Sequence, residues 1–304
     1  MKSMITTCIS TNNNLNYLKL AVASVRKNAY YKDQPIIVHA ENCTDGTDEW
    51  LKAQAGELGI EYYIDHNTKP KGIGGGMNFC VDKAQTEFVN IIHSDMWIGP
   101  NQDLELLKLF ENTNSKLIAS SFRIQPKIFP ADPDYRPGTV FFPSEVFGEY
   151  HYNFNTELFD QFASEFSELN KGTEVRKGGG AGFFCRKEDF IHIGGNDPLF
   201  APSSWEDMDL FIRMQLEGFE FRMVATSVLY HFSARGSHFK DDNLAVKSDR
   251  QQLAEQANIN KFNSKWGRLP DHDEQTFVKP IYNSGVNPVM SFEENLKYFE
   301  GYER

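Results

Sequence analysis

Phe88-Val-Asn-Ile-Ile-His-Ser-Asp-Met-Trp-Ile-Gly-Pro100 is the stretch whose reading decides the fold. Phe88, Val89, Ile91 and Ile92 make a short apolar run, too short for a helix and rich in β-branched residues, so it reads as a buried strand. Polar groups follow at its C-terminal end: His93, Ser94 and Asp95, before a Gly99-Pro100 stop. Open α/β sheets bind ligands just beyond the carboxyl ends of their strands. Asp95 is therefore a candidate ligand of a divalent metal, with Ser94 beside it. An aspartate that merely caps a strand end is the plainer reading of the same residues.

The chain before this stretch alternates strands and helices. Met4 to Ser10 reads as a first strand, and Leu15, Leu18, Val22 and Val25 then recur at helical spacing. Pro35 to Ala40 is a second strand. Glu41 to Thr47 is a polar loop, Asp48 to Leu58 a helix and Ile60 to Ile64 a third strand. Lys69 to Gly76 reads as a glycine-rich loop leading into a helix that ends near Ala84. Short connections between alternating elements predict an α/β fold with a Rossmann-like, mostly parallel central sheet flanked by helices. Gly72-Ile-Gly-Gly-Gly-Met-Asn78 follows the third strand, not the first, so it is no dinucleotide fingerprint. A loop that lets the backbone approach a ligand suits it better. Gly72 and Asn78, the latter placed on the first helical turn, are then candidate contacts, although a plain helix entry explains them equally well.

Beyond Pro100, a helix is expected over 101–111 and a strand over 116–122. From Gln125 to Tyr152 the alternation breaks. Pro126, Pro130, Pro133, Pro137 and Pro143 and many aromatics indicate a long surface excursion, a common place for function. Phe141 and Tyr150 are candidate ligand contacts there, since aromatic faces line many ligand sites. Leu158, Phe159, Phe162 and Phe166 line one face of a helix over 157–169, which fits packing on the core. Gly178-Gly-Gly-Ala-Gly-Phe-Phe-Cys185 reads as glycines leading into a strand. Trp205-Glu206-Asp207-Met-Asp209 opens a helix. Acidic residues favour a helix N-terminus, but three in five positions exceed what capping needs. A strand over 219–230 ends at His231. Helix is expected over 241–262, with an irregular tail after it. The expected organisation is 1–240 as the main domain, split near 122 into a donor half and an acceptor half, and 241–304 as a C-terminal helical or irregular extension.

The formal net charge is -11, which argues against a nucleic-acid partner. Cys8, Cys43, Cys80 and Cys185 are far apart and show no zinc spacing. Buried reduced cysteine behaves as a small hydrophobe, which suggests a reducing compartment. No apolar run approaches the ~20 residues of a membrane span, and no signal-like run precedes Thr11. A cytoplasmic protein is expected, with peripheral membrane attachment left open.

The order of these motifs resembles the family 2 glycosyltransferases of the GT-A, nucleotide-diphospho-sugar transferase fold. The resemblance covers about residues 1–267 and ends in Asn260-x-Phe262-x-x-Lys265-Trp266-Gly267. It implies transfer of a sugar, expected to come from a UDP-sugar, to an acceptor hydroxyl in glycan or polysaccharide synthesis, with inversion. The acceptor would be a glycan, a lipid-linked sugar or a protein. Glu41 and Asp45 would bind the nucleoside, with Thr7 or Thr11 on the pocket wall. Asp95 would be the last residue of an Asp-x-Asp metal motif and His231 a second ligand. His93 stands where the family usually has Asp, which favours Mn²⁺ over Ca²⁺ and leaves Mg²⁺ held mainly through phosphates open. Asp207 would be the catalytic base, with Glu206 its rival and Trp205 near the acceptor. Arg235 or Lys240 could add positive charge beside the leaving phosphates. A sugar-1-phosphate nucleotidyltransferase would want a glycine-rich loop after the first strand, and Ser10 to Asn14 has no glycine. A non-catalytic carbohydrate-binding protein would not need Asp95, Asp207, Asp209 and His231 together.

Overall fold

A computed structural model of the chain describes residues 3–111, 115–127, 135–136, 139–141, 146–173, 176–180, 182–233, 239–240, 243–247, 249–269 and 290–298. The first half alternates β1 (Ile5–Thr11), α1 (Leu15–Asn28), β2 (Ile36–Glu41), α2 (Thr47–Leu58), β3 (Ile60–Asp65), α3 (Gly72–Lys83) and β4 (Phe88–His93). Strands β3, β2, β1 and β4 lie side by side in that order and are all parallel. Alternate residues serve opposite faces. Ile9, Val38 and Ile92 pack under Leu18, Val22 and Val25 of α1 and Leu51 of α2. Cys8, Ile37, Val89 and Ile91 pack under Met77, Cys80 and Val81 of α3. Burial pushes the thiols of Cys8, Cys80 and Cys185 up from their ordinary pKa, so these cysteines act as packing groups.

The second half contains β5 (Met96–Ile98), α4 (Gln102–Leu107), β6 (Leu117–Gln125), β7 (Tyr135–Arg136), β8 (Thr139–Phe141), α5 (Thr156–Leu169), β9 (Arg176–Lys177) and β10 (Phe183–Arg186). After these come α6 (Lys187–His192), α7 (Glu206–Leu216), β11 (Glu220–His231), β12 (Phe239–Lys240), β13 (Asn243–Lys247), α8 (Asp249–Trp266) and α9 (Phe292–Lys297). The sheet continues from β4 in the order β10, β6, β11, β5. β10 is antiparallel to both β4 and β6, while β6 and β11 run parallel. Along β11 the register against β6 jumps between Val224 and Val228. In the jump, Ser227 Oγ donates to the Gln102 carbonyl at 3.0 Å and lies 2.8 Å from Ser121 Oγ.

Only Ser94 and Asp95 separate β4 from β5, yet three strands lie between them in the sheet. Four strand spacings in a flat sheet come to about 19 Å. The three Cα steps from His93 to Met96 reach at most ~11 Å. The sheet must therefore curl until β5 returns beside the end of β4.

Several elements differ from the sequence reading. The glycines thought to form a loop lie inside α3, so Asn78 is on its second turn. They are small because α3 presses on its neighbours. A Cβ on Gly72 would collide with the Pro202 carbonyl, and one on Gly74 would sit 2.9 Å from Asn196 Cβ. A Cβ on Gly76 would overlap Ser10 Oγ and lie 2.8 Å from His39 Nδ1. The helix expected from 241 starts at Asp249; Asn243 to Lys247 is a strand, matching its alternation of Leu244 and Val246 with polar or small neighbours. Helix α8 is also part of the main core, since Phe262 and Trp266 join the cluster under α3 and α7.

Gly76→Ala should lower stability by about 1–3 kcal/mol through overpacking. Gly56→Ala in α2, where an added Cβ meets nothing within 4 Å, should instead gain ~0.5–1 kcal/mol. Urea midpoints for the two variants should move in opposite directions.

Candidate active site

The curl brings three strand ends together. His93 closes β4, Asp95 sits in the turn, and His231 closes β11 opposite Met96 of β5. The Phe232 N–H donates to the Asp95 carbonyl at 3.0 Å, which fixes the turn against β11. Each of His93, Asp95 and His231 offers a ligand atom, and these atoms lie within 4.8 Å of one another. The His93 and His231 rings are 5.7 Å apart and nearly perpendicular. His231 Nε2 lies 3.4 Å from Asp95 Oδ1, and its Nδ1 is 3.1 Å from Oε1 of Gln125, the last residue of β6. An amide oxygen accepts, so Gln125 favours an imidazole carrying hydrogen on Nδ1, the tautomer that leaves Nε2 for a metal. Two imidazoles and a carboxylate, with an outer amide fixing one tautomer, are a donor set that suits Mn²⁺ and related divalent ions. Gln125 carries no motif, and only strand register reveals it.

Beside this cluster the loops after β1, β2 and β3 are stitched together. Asn14 Nδ2 donates to Ser94 Oγ at 3.0 Å. Glu41 Oε1 accepts from the Lys71 N–H at 2.7 Å and Asn67 Nδ2 at 3.2 Å, and Oε2 accepts from the Gly72 N–H at 2.8 Å. Asp45 accepts from the Leu15 N–H at 2.8 Å and from Thr47 Oγ1 at 2.6 Å, joining the starts of α1 and α2. Both carboxylates thus hold backbone, and any nucleoside contact would come in addition. Thr7 is buried low in β1, its hydroxyl accepting from Gln34 Nε2 at 2.7 Å. Thr11 stands at the carboxyl end of the strand, about 13 Å further along, with a buried hydroxyl that has no hydrogen-bond partner among the described residues. Asn78 is exchanged against Asn196: its Nδ2 donates to the Asn196 carbonyl at 2.9 Å and its Oδ1 accepts from the Asn196 N–H at 2.8 Å.

At the start of α7 the acidic residues have separate fates. Asp209 is fully buried, accepting from Arg213 Nε at 2.8 Å, Lys265 Nζ at 2.6 Å and Trp266 Nε1 at 2.9 Å. Burial alone would raise its pKa, but Arg213 and Lys265 outweigh burial and hold it below the ordinary value. Glu206 has an enclosed Oε2 without a hydrogen-bond partner, close against Gly74 of α3. Burial, and then the charge of Asp207, push its carboxyl up to about 8. Asp207 is half-buried, and its Oδ1 accepts from the Met208 N–H at 2.8 Å. Trp205 turns inward, its ring 5.1 Å from that of Phe262. Tyr150 stacks on the exposed Tyr152 with centroids 5.3 Å apart. Of Phe141 and Lys240 only the backbone is described, and Arg235 lies outside the described residues.

The sequence matches the family model for glycosyl transferase family 2 over residues 6–186, more than half of the chain. The chain belongs to glycosyl transferase family 2. A comparison with curated proteins finds no match. Among solved structures, the chain resembles GalNAc-T7 crystallised with UDP, GalNAc and Mn²⁺, at 15% identity and a TM-score of 0.54, covering 75% of this chain and 42% of the other. It also resembles TarS of S. aureus, at 13% identity and a TM-score of 0.52, covering 88% and 44%. A third is the mannosyltransferase PcManGT of Pyrobaculum calidifontis with GDP-Man and Mn²⁺, at 13% identity and a TM-score of 0.50, covering 76% and 57%. The chain spans less than half the length of the first two, and at these identities the likeness establishes the shared GT-A fold.

The raised Glu206 pKa makes a testable contribution to stability. Below pH ~4.3 the group is protonated in both folded and unfolded chains. Between there and about 8 the folded chain holds a proton that the unfolded chain releases, so stability falls as pH rises. Glu206→Gln should remove this slope. In urea titrations at pH 5.5 and 8, the variant should gain on the wild type at the higher pH.

Proposed function

We propose that this chain transfers a sugar from a nucleotide-diphospho-sugar, in the first instance a UDP-sugar, to an acceptor hydroxyl with inversion of configuration. The observation that carries the reading is the convergence of His93, Asp95 and His231 at the carboxyl end of the sheet, with Gln125 fixing the His231 tautomer. A divalent cation bound there would neutralise charge developing on the diphosphate. Thr11, at the carboxyl end of β1, is the candidate nucleoside contact, its buried hydroxyl having no hydrogen-bond partner among the described residues. Glu41 and Asp45 keep the surrounding loops in place and define the rim.

Asp207 is the general base. The acceptor oxygen bonds to the sugar C1 as the bond from C1 to the phosphate oxygen breaks. The acceptor proton goes to the Asp207 carboxylate, and the electron pair leaves with the nucleoside diphosphate. Glu206 is the weaker candidate because its carboxyl is closed in against α3 and holds its proton at neutral pH. The stack of half-buried Tyr150 on exposed Tyr152 is the candidate acceptor-side surface, and an aromatic face there suits a sugar ring. The family assignment and the cluster of His93, Asp95 and His231 support a role in glycan or polysaccharide synthesis. No described helix is long and apolar enough to cross a membrane, and a cytoplasmic location, with peripheral attachment to a membrane, accords with the reduced buried thiols.

Calorimetry should show UDP binding more tightly with Mn²⁺ than with EDTA, and Asp95→Ala should abolish the difference. Gln125→Leu should weaken Mn²⁺ binding about 10–100-fold while leaving the three ligands in place. Equal UDP affinity with and without Mn²⁺ in the wild type would rule out the metal site.

Asp207→Asn keeps the side-chain shape and removes the basicity. Turnover should fall by ~10²–10⁴-fold with UDP affinity nearly unchanged. Near-normal turnover in this variant together with an inactive Glu206→Gln would move the base by one residue, and retained anomeric configuration by NMR would overturn inversion.

A further inference from the structure

The segment around Asn258, Phe262, Lys265 and Trp266 of α8 lies far from the metal cluster in sequence, and the proposed reaction leaves it without a task. These residues, with Lys261, recur at i, i+3, i+4, i+7 and i+8, so they share one helix face. That face meets the loop that leads into α7. Asn258 Nδ2 donates to the carbonyls of Phe200, Ser203 and Ser204 at 2.6, 2.7 and 3.0 Å. Lys261 Nζ donates to the Leu199 carbonyl and to Asn258 Oδ1, both at 2.8 Å. Phe262 packs on the Trp205 ring. Lys265 Nζ bridges Asp197 Oδ2 and Asp209 Oδ1, each at 2.6 Å. Trp266 Nε1 donates to the same Asp209 oxygen.

The loop being gripped is strained. Ser204 and Trp205 both have left-handed backbone, with φ of 79° and 75°. Such a non-glycine residue persists in this conformation only where its surroundings enforce it. These two residues immediately precede Glu206 and Asp207. From the other side, the Ile73 N–H at the start of α3 donates to the Pro202 carbonyl at 2.9 Å. The loop is thus held between α3 and α8, and most of its captured carbonyls are held by α8.

We infer that α8 is a positioning element for the reaction: Asn258, seconded by the Lys265–Trp266 grip on Asp209, holds the strained turn that aims Asp207 at the acceptor. This rests on the role proposed for Asp207. None of these three α8 residues is assigned a contact with the reacting atoms. A side chain that only stabilised the fold would, when removed, lower stability throughout and leave the surviving folded enzyme at full turnover. A positioning residue lowers turnover in enzyme that is still folded and still binds nucleotide.

The test uses the full chain, Mn²⁺ and a panel of UDP-glucose, UDP-N-acetylglucosamine and GDP-mannose, with water as the acceptor. Asn258→Ala should reduce turnover of the donor that the wild type hydrolyses by about 10²-fold, the scale of an ångström-sized misplacement. Its Kd for Mn²⁺-UDP should stay within about twofold, well under the 1.4 kcal/mol that a tenfold change represents. Hydrogen exchange should rise in the peptide spanning 199–209 and not in β1 to β4. Should Asn258→Ala not fold, Trp266→Phe keeps the ring and removes only the N–H given to Asp209, and it should show the same split between turnover and nucleotide affinity. Faster exchange over 199–209 with unchanged turnover would overturn the positioning role alone, as would unchanged exchange. An Asp207→Asn variant that hydrolyses the donor as fast as the wild type would overturn the role of Asp207, and this inference with it.

Discussion

The structure depends on a short connection. Ser94 and Asp95 are all that joins β4 to β5, and these strands stand at opposite limits of the curled half of the sheet. The chain cannot span a flat sheet in so few bonds, so strand pairing and connection length agree only if the sheet rolls. Rolling brings the ends of β4, β6 and β11 to one point, and the polar residues at those ends become neighbours. Asp95 is central twice over, since its backbone carbonyl secures β11 and its side chain faces His231. The constraint that shapes the fold is therefore the one that assembles the site.

Close approach is the second recurring device. Helix α3 is sequenced with glycines where it touches β1, β2, the Asn196 turn and the Pro202 loop. Its first amides are taken up by Glu41 and Pro202, so the helix start is a structural joint between the donor half and the loop before α7. The buried Asp209 group works similarly on the other side. Several kcal/mol of desolvation are offset there only because a guanidinium, an ammonium and an indole N–H all meet one carboxylate. Removing one partner of such a group is far more damaging than its modest net contribution suggests.

Much of this was legible in the sequence. Short apolar and β-branched runs marked β1, β2 and β4, which are buried along nearly their whole length, and Ile60, Tyr62, Tyr63 and Ile64 marked the half-exposed edge strand β3. Asp95 and His231 were visible as polar residues ending apolar strands. What stayed hidden was decided at long range. Nothing local says that β10 inserts antiparallel between β4 and β6, or that Gln125 lies beside His231. Glycines spaced for packing look like glycines of a loop, which misplaced the start of α3 and with it Asn78. Asn243 to Lys247 was too short to announce its two-residue period against the helix that follows. Glu41 and Asp45 look like ligand-binding acids in a polar loop, yet their described partners are backbone amides and loop side chains, and composition does not distinguish the two uses.

The jump in β11 between Val224 and Val228 separates that strand into two independently registered halves. The lower half is set by its pairing from Leu117 to Ser121, and the upper half by Phe122 to Ile124 on one side and by β5 on the other. His231 therefore takes its position from its sheet neighbours rather than from its distance along the chain from α7. Counting residues from the start of β11 is a poor ruler for finding the corresponding histidine in a related chain, because a longer or shorter jump would change the count without moving the ring. Alignment through the strand that follows Asp95 keeps Asp95 and His231 in step.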